Sequence, residues 1–497
     1  MVDFRSWRLL ALALVAVSAA AHLPGLVVGP SLDAAVFDVV GWRVVEGVPL
    51  YGGIWDHKPP GIYLLTAAAE AGRGLVYPWL ITWALSVVAT AVTGLLVARL
   101  LLRAGLSQVA PALAILLVLL SGQYLIALGG GLAEQPATVA ATGAVLLVAA
   151  PATTRRWMAA GALLAVGVLI SVQVAAAVLA LVVLAMRSAA PVRRLAAAAT
   201  GGLAVILATV AALGVLGVLA PAIDAVFTYN AAYRLAAQDA AGALSPLPWT
   251  VLALVPLLAL GAAGLLAMRR WPEGRSLSLA AAAWTGGGLI LLVVQGRFYA
   301  HYIVPIMVPL AVLGGVGWAD LDRLRQRRRR MTPILAAAGV VLLLVATLAG
   351  VAGGLQELRI WVAANDKARA IAGVIHGITI PGQTMLVWGN QPYLYRATER
   401  APALRYPYLF PLTTPGYATP ALIAEMRADL ERDPPAVVVD AGSPDVGQPG
   451  GLPLLIYRPT ATEGRELDLL DPLREFVREK YELYGVLQGW PVYRLTR

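Results

Sequence analysis

Ionisable residues are scarce in this chain, and those with chemical potential gather in one early stretch. Residues 29–76 hold Asp33, Asp38, Glu46, Asp56 and Glu70. Within them, Tyr51-Gly-Gly-Ile-Trp-Asp-His-Lys-Pro-Pro-Gly-Ile-Tyr63 brings Asp56, His57 and Lys58 into succession. Lys58 is the only lysine before the C-terminal segment, where Lys367 and Lys480 lie. Its compact ammonium suits a phosphate, and a carboxylate is a group that can take a proton from a hydroxyl. Later in the chain come Glu134, in Gly-Leu-Ala-Glu-Gln-Pro, and Arg297-Phe-Tyr-Ala-His301. Two dispersed histidines, His57 and His301, do not by themselves make a metal site. The absence of cysteine excludes disulfides and thiolate ligands.

The elements that position these residues belong in a membrane. Of 497 residues, 59% are hydrophobic and 13% charged, and the mean hydropathy is +0.75. Soluble domains carry about 25% charged residues, so lipid must solvate most of this surface. Apolar runs lie near 8–28, 77–98, 108–128, 136–152, 195–220, 249–268, 276–295, 301–318 and 332–353. The run 157–186 is too long for one span, and arginines flank it on both sides. It reads as two short spans or a re-entrant hairpin turning near Ser171 to Gln173. Counting it twice beside the other nine gives eleven passes.

The basic residues set the expected orientation. With Arg5 and Arg8 in the cytoplasm, alternate connections carry Arg99 and Arg103, Arg155 and Arg156, Arg187 to Arg194, Arg269 to Arg275, and Arg323 to Arg330. The opposite connections carry only Arg43, Lys58, Arg73, Arg234 and Arg297. The formal charge of +10 then serves as a topology anchor on anionic headgroups and implies no nucleic-acid partner. Residues 29–76 become the first outer loop, and Glu134, Asp224 and Asp239 share its side. The N-terminus is expected in the cytoplasm and everything after about 355 outside.

In that loop Ser31 can cap an amphipathic juxtamembrane helix from Leu32, with Gly47 ending it. Trp42, Tyr51, Trp55 and Tyr63 fall at interfacial positions, and Pro60 can open a second short helix. Asp38 lies five residues beyond Asp33, about 140° around a helix of 3.6 residues per turn, so the two should not face one site. The expected architecture is a transmembrane module over 1–354 and an extracytoplasmic α/β domain over 355–497. In the latter, Met385–Trp388 and Ala436–Val439 read as strands, and 357–376, 419–432 and 469–481 as helices. That domain has no G-x-G-x-x-G or P-loop, and so no support for nucleotide binding.

The run Asp33-Ala-Ala-Val-Phe37, Gly47, Pro49, Tyr51 and Trp55-Asp-His-Lys-Pro-Pro-Gly61 resembles the first outer loop of the GT-C superfamily of membrane glycosyltransferases. The nearest branch is the family 39, protein-mannosyltransferase-like group, which also resembles the aminoarabinose transferases. Glu134, Arg297-Phe-Tyr-Ala-His301-Tyr-Ile-Val-Pro305, and Val387-Trp-Gly-Asn-Gln-Pro-Tyr-Leu-Tyr395 with Arg405-Tyr-Pro-Tyr408 extend the resemblance over most of the chain. It departs from the family in two places. Ala34 follows Asp33 where an acidic pair is frequent, and Gln173 stands where a lysine is frequent.

The resemblance implies a GT-C fold and transfer of a hexosyl or pentosyl group from a polyprenyl-phosphate donor to a glycan, lipid or protein hydroxyl. It makes the plasma (inner) membrane the expected location and membrane lipids the surrounding partners. It implies Asp33 as the base, and Lys58 and Arg297 as cations for the departing phosphate, with His57, Tyr299 and His301 beside them. Glu134 and Asp56 are the possible second acidic site on the acceptor side. No cofactor is assigned, and a divalent cation is left open. The rival reading is a transporter or flippase of polyprenyl-linked glycans, which would place polar groups near the bilayer midplane. Here charge crowds one surface.

Overall fold

A computed structural model describes residues 4–236, 247–272, 274–327, 332–442, 454 and 464–496. Asp239 and Arg328 to Arg330 lie outside the described residues. Every apolar run that the sequence marks is helical. Six helices are long and apolar enough to cross a bilayer: Ser6–Val28, Pro78–Arg103, Pro191–Val215, Arg275–Gln295, Ala300–Arg327 and Pro333–Ile378. A seventh span is broken, with Leu247–Ala253 and Val255–Arg270 bent by 67°. The other runs give Ala110–Gly122, Glu134–Val148, Thr154–Ile170 and Val172–Met186, all shorter than the roughly 20 residues of a full crossing. The eleven expected passes are thus matched by helical segments among the described residues, of which six or seven are long and apolar enough to be spans.

Local chemistry explains the short ones. After Tyr124–Ala127, Leu128, Gly129, Gly130 and Gly131 all take positive φ. This is a conformation in which glycine is cheap, and it re-aims the chain before Glu134. Ser171 is extended at φ −148° and ψ 125°, so the run 157–186 breaks there into two helices. Small residues let helices touch. A Cβ at Gly161 would overlap the Ala198 backbone, and one at Gly201 that of Met158.

The loop helices sit deep in the fold. Leu32–Val45 buries Ala34 through Trp42, with Phe37 edge-on to Tyr63 at 6.1 Å. Ser31 occupies the cap position, but its hydroxyl makes no capping bond. Gly61–Ala71 follows Pro60 and packs against the first helix, where Thr66 donates to the Phe37 carbonyl at 2.8 Å.

Thr332–Ile378 is one helix of 47 residues, about 70 Å long at 1.5 Å per residue. A hydrocarbon core of about 30 Å absorbs less than half of that. The sequence reading ends the last span at 353 and places a separate helix over 357–376, on either side of Gly353 and Gly354. Instead both glycines lie against the 123–125 turn, and a Cβ at Gly353 would come within 3.0 Å of Leu125 and Trp249. The helix thus runs on through 354 and 355.

Beyond it, β1 (Thr384–Trp388), β2 (Ala401–Pro402), β3 (Val437–Asp440), β4 (Tyr481–Leu487) and β5 (Trp490–Leu495) form one sheet. Its order is β2-β1-β3-β5-β4. The first three strands are parallel and β5 is antiparallel to both β3 and β4. Two expected strands and the helix Pro420–Arg432 are present, and the last helix is Gly464–Lys480.

A buried ion network clamps this domain to the loop. Arg396, in the helix Tyr393–Thr398, donates to Asp38 at 2.9 Å and to Glu70 at 2.7 Å. It also lies over the Trp42 ring at 4.9 Å.

Candidate active site

A cavity of about 390 Å³ lies where the loop helices, the 299–302 turn, the long helix and the C-terminal domain meet. Asp33, Asp56, His57, Lys58, Tyr299 and His301 all line it. Among the residues singled out in the sequence, Glu134 stands behind this wall. Arg297 does not line the cavity.

Asp33 sits in the first turn of Leu32–Val45, and its side chain is 36% exposed. The basic side chain paired with it is His301, whose Nε2 lies 3.6 Å away, too far for a hydrogen bond. His301 stacks on Tyr299 at 5.6 Å and meets Tyr302 edge-on at 4.7 Å. Its Nε2 and the Ser31 hydroxyl are both buried without a hydrogen-bond partner. Both residues line the cavity, and unsatisfied buried polar atoms are uncommon in folded proteins. Asp38 turns away to Arg396, as the helical arithmetic requires.

Lys58 is buried, with Nζ 4.0 Å from Glu134 Oε1 and 5.1 Å from the centre of the Tyr302 ring. Burial alone would lower the ammonium's pKa. The Tyr302, Glu134, Asp33 and Asp56 side chains outweigh that and hold it above the ordinary lysine range. Glu134 also lies 3.2 Å from the Ser171 hydroxyl, which bonds Gln173, and Gln173 reaches Gln295 at 3.3 Å. The turn at Ser171 thus supports the carboxylate that faces Lys58.

Asp56 is buried among three donors. Tyr63 donates at 2.7 Å, Tyr408 donates to Oδ1, and His57 Nδ1 lies 3.0 Å from the same oxygen. Burial pushes the acid's pKa up. His57, Tyr408 and Tyr63 overcome this and bring it to about 2. It is an ionised anchor for the His57 ring rather than a free base. The backbone is fixed as well, since Tyr51 donates to the Lys58 carbonyl and Asn230 to that of His57, both at 2.9 Å. Asn230 follows a π-helical turn, Asp224–Tyr229, a rare geometry found frequently at functional sites.

Arg297 lies 4.1 Å from the Tyr233 ring centre and donates to the Tyr233 carbonyl at 3.2 Å. Tyr233 and Tyr299 line the cavity and touch through their hydroxyls at 3.0 Å. Arg297 therefore reaches the site through tyrosine. Among the described residues, no three or more His, Asp or Glu side chains group as a metal site.

Several lining residues lay outside the sequence-based selection: Ser31, Tyr302, Glu357, Trp361, Asn390 and Phe410. Glu357 carried a signal, as an acid directly after the last apolar run. Asn390 lay within the Val387–Tyr395 motif without being singled out, and Phe410 carried none, because only the folding of the sheet domain onto the loop brings them in.

No family model matches the sequence, and no curated protein does. Among solved structures, ArnT from Cupriavidus metallidurans bound to undecaprenyl phosphate matches at a TM-score of 0.58 and 17% identity. That match covers 99% of this chain and 98% of the other. The same protein in its apo state matches at 0.55 and 16%, covering 97% of each. ArnT is an aminoarabinose transferase of the GT-C superfamily, so this multi-pass membrane protein has the fold of the GT-C glycosyltransferases.

Proposed function

We propose that the chain moves a hexose or pentose from a polyprenyl-phosphate carrier to a hydroxyl of a glycan, lipid or protein acceptor. The reaction takes place at the outer face of the inner membrane. One observation carries this reading. In a single cavity, the Asp33 carboxylate, partly exposed and held by no hydrogen bond among the described residues, faces a buried lysine and two unpartnered polar groups, the Ser31 hydroxyl and His301 Nε2. The fold shared with a transferase whose structure holds undecaprenyl phosphate supports it.

The acceptor oxygen attacks the anomeric carbon and Asp33 takes its proton. The bond from that carbon to the phosphate oxygen breaks, and the electron pair leaves on the phosphate. Lys58, buried where charge is weakly screened, meets that developing charge, with His301 beside it. Glu134 keeps the ammonium in place, and Asp56 holds the His57 ring. Arg297 acts through Tyr233 and Tyr299. The arginine bias supports a cytoplasmic N-terminus and an external C-terminal domain.

Purified protein incubated with a panel of polyprenyl-phosphate sugars tests the reaction. Release of free polyprenyl phosphate with an acceptor present is expected from at least one donor, and release from none refutes the reading. A reporter fused after residue 497 should be active only outside the cytoplasm, and cytoplasmic activity refutes the orientation.

A further inference from the structure

The cavity has two chemically different walls. The loop and the 299–302 turn supply all its basic residues among those described: His57, Lys58 and His301. The opposite wall comes from the long helix and the C-terminal domain. Glu357, Ile360 and Trp361 lie three and four residues apart, so they share one helix face. Asn390 and Phe410 join them from the sheet domain. Asn390 accepts from the Leu409 N–H through Oδ1 at 3.1 Å, which leaves its amide nitrogen as a donor. Phe410 is fixed edge-on to Tyr408 at 5.9 Å. The Trp361 indole N–H is buried and lies close to the Glu357 carboxylate one turn earlier, without completing a well-formed hydrogen bond to any described residue.

This wall offers a carboxylate acceptor, an amide donor, an indole donor and two aromatic rings. It has no cation. A phosphate or carboxylate on a ligand there would find no counter-charge on this wall, and an ionised Glu357 would repel it. A sugar ring fits these groups. Its hydroxyls can donate to Glu357 and accept from Asn390 and Trp361, and its apolar C–H face can lie on an aromatic ring. The volume is near the lower end of the roughly 300–1,000 Å³ usual for small-ligand sites, so the acceptor enters by its terminal residue.

We infer that Glu357, Trp361, Asn390 and Phe410 form the acceptor subsite, and that the acceptor is a neutral saccharide end. The inference rests on the transferase reading above and chooses among its acceptors. It also gives the C-terminal domain a part in substrate recognition.

The test uses full-length protein in a sugar-free detergent, with calorimetric titration. The probes are mannotriose, galactotriose and arabinotriose, with mannotriose 6-phosphate as the anionic control and undecaprenyl phosphate for the other wall. At least one neutral trisaccharide should bind, and the phosphorylated one more weakly. Trp361→Ala should weaken the neutral ligand by about tenfold or more, Trp361→Phe by less, and Glu357→Gln by a few-fold. All three variants should bind undecaprenyl phosphate within about twofold of the parent, which also shows that they are folded. Absence of binding by every neutral trisaccharide overturns the inference. So does tighter binding of the phosphorylated one, or a Trp361→Ala variant of unchanged affinity. Failure of undecaprenyl phosphate to bind the parent chain would instead sink the donor reading, so the two failures are distinguishable.

Discussion

Replacing Lys58 tests two roles that the fold has merged. Its ammonium faces Glu134 at 4.0 Å, and the Glu134 carboxylate is 1% exposed. Two unit charges at that distance attract by about 4 kcal/mol at an effective dielectric constant near 20. Lys58→Met removes the cation and strands the carboxylate, a change that costs about 3–5 kcal/mol when one half of a buried pair is lost. If Lys58 also clamps the donor phosphate, the same change removes a charge-assisted contact of about 1.5–3 kcal/mol. That corresponds to an affinity loss of roughly 10- to 150-fold. The pair of effects separates in the double variant Lys58→Met/Glu134→Gln, which leaves no buried charge at either position. Its melting temperature should return most of the way to the parent's, while its affinity for undecaprenyl phosphate stays as low as that of Lys58→Met. Thermal unfolding in micelles and a lipid-phosphate titration read the two quantities independently. If the double variant regains both stability and phosphate affinity, Lys58 is only a structural partner of Glu134 and the phosphate clamp is refuted.

Other outcomes follow from the same geometry. Arg396→Met leaves Asp38 buried and unpaired and Glu70 held only by the more exposed Arg73, so it should cost about 3–5 kcal/mol. Adding Asp38→Leu and Glu70→Leu should recover most of it, and a single variant that melts like the parent contradicts the clamp. Tyr408→Phe removes one donor from Asp56 and unlatches His57. Turnover should fall about tenfold with donor affinity nearly unchanged, whereas an equal loss in both would place Tyr408 in donor binding. Asp56 titrates near 2 in the folded chain against 3.8 ordinarily. A depressed acid contributes stability above its unfolded pKa and loses it as pH falls through the folded one. The parent should therefore out-melt Asp56→Asn by about 2 kcal/mol at pH 5, with the gap closing toward pH 2. A gap that ignores pH contradicts the assignment.

The sequence and the structure agree where one residue type has one physical solution. Apolar runs in lipid have only the helix to satisfy their backbone, so the 8–28 or 276–295 run could be read directly. Asp33, Asp56, His57, Lys58 and His301 stood out because ionisable groups are expensive in such surroundings, and the fold brings all five to one cavity. Arg297 looked the same in sequence, yet its guanidinium found the Tyr233 ring, a choice that depends on a helix 64 residues upstream. Asp56 was legible as an acid but not as an anchor, because Tyr408 reaches it from 352 residues away. The helix Thr332–Ile378 shows the converse case, since the sequence reading divides it into a span ending at 353 and a helix beginning at 357. Local propensity argues for a break, but packing against Leu125 and Trp249 rewards the small residues and the helix continues.

The central claim is that Asp33 is the base. Asp33→Asn keeps the side chain's shape in the first turn of its helix but cannot take the acceptor's proton. Single-turnover sugar transfer, measured beside donor binding on the same preparation, tests it most directly. Transfer should fall by about 10²–10⁴-fold, the usual cost of a lost general base, with donor affinity within about twofold of the parent. A variant that transfers at the parent rate would make Asp33 structural and contradict the account.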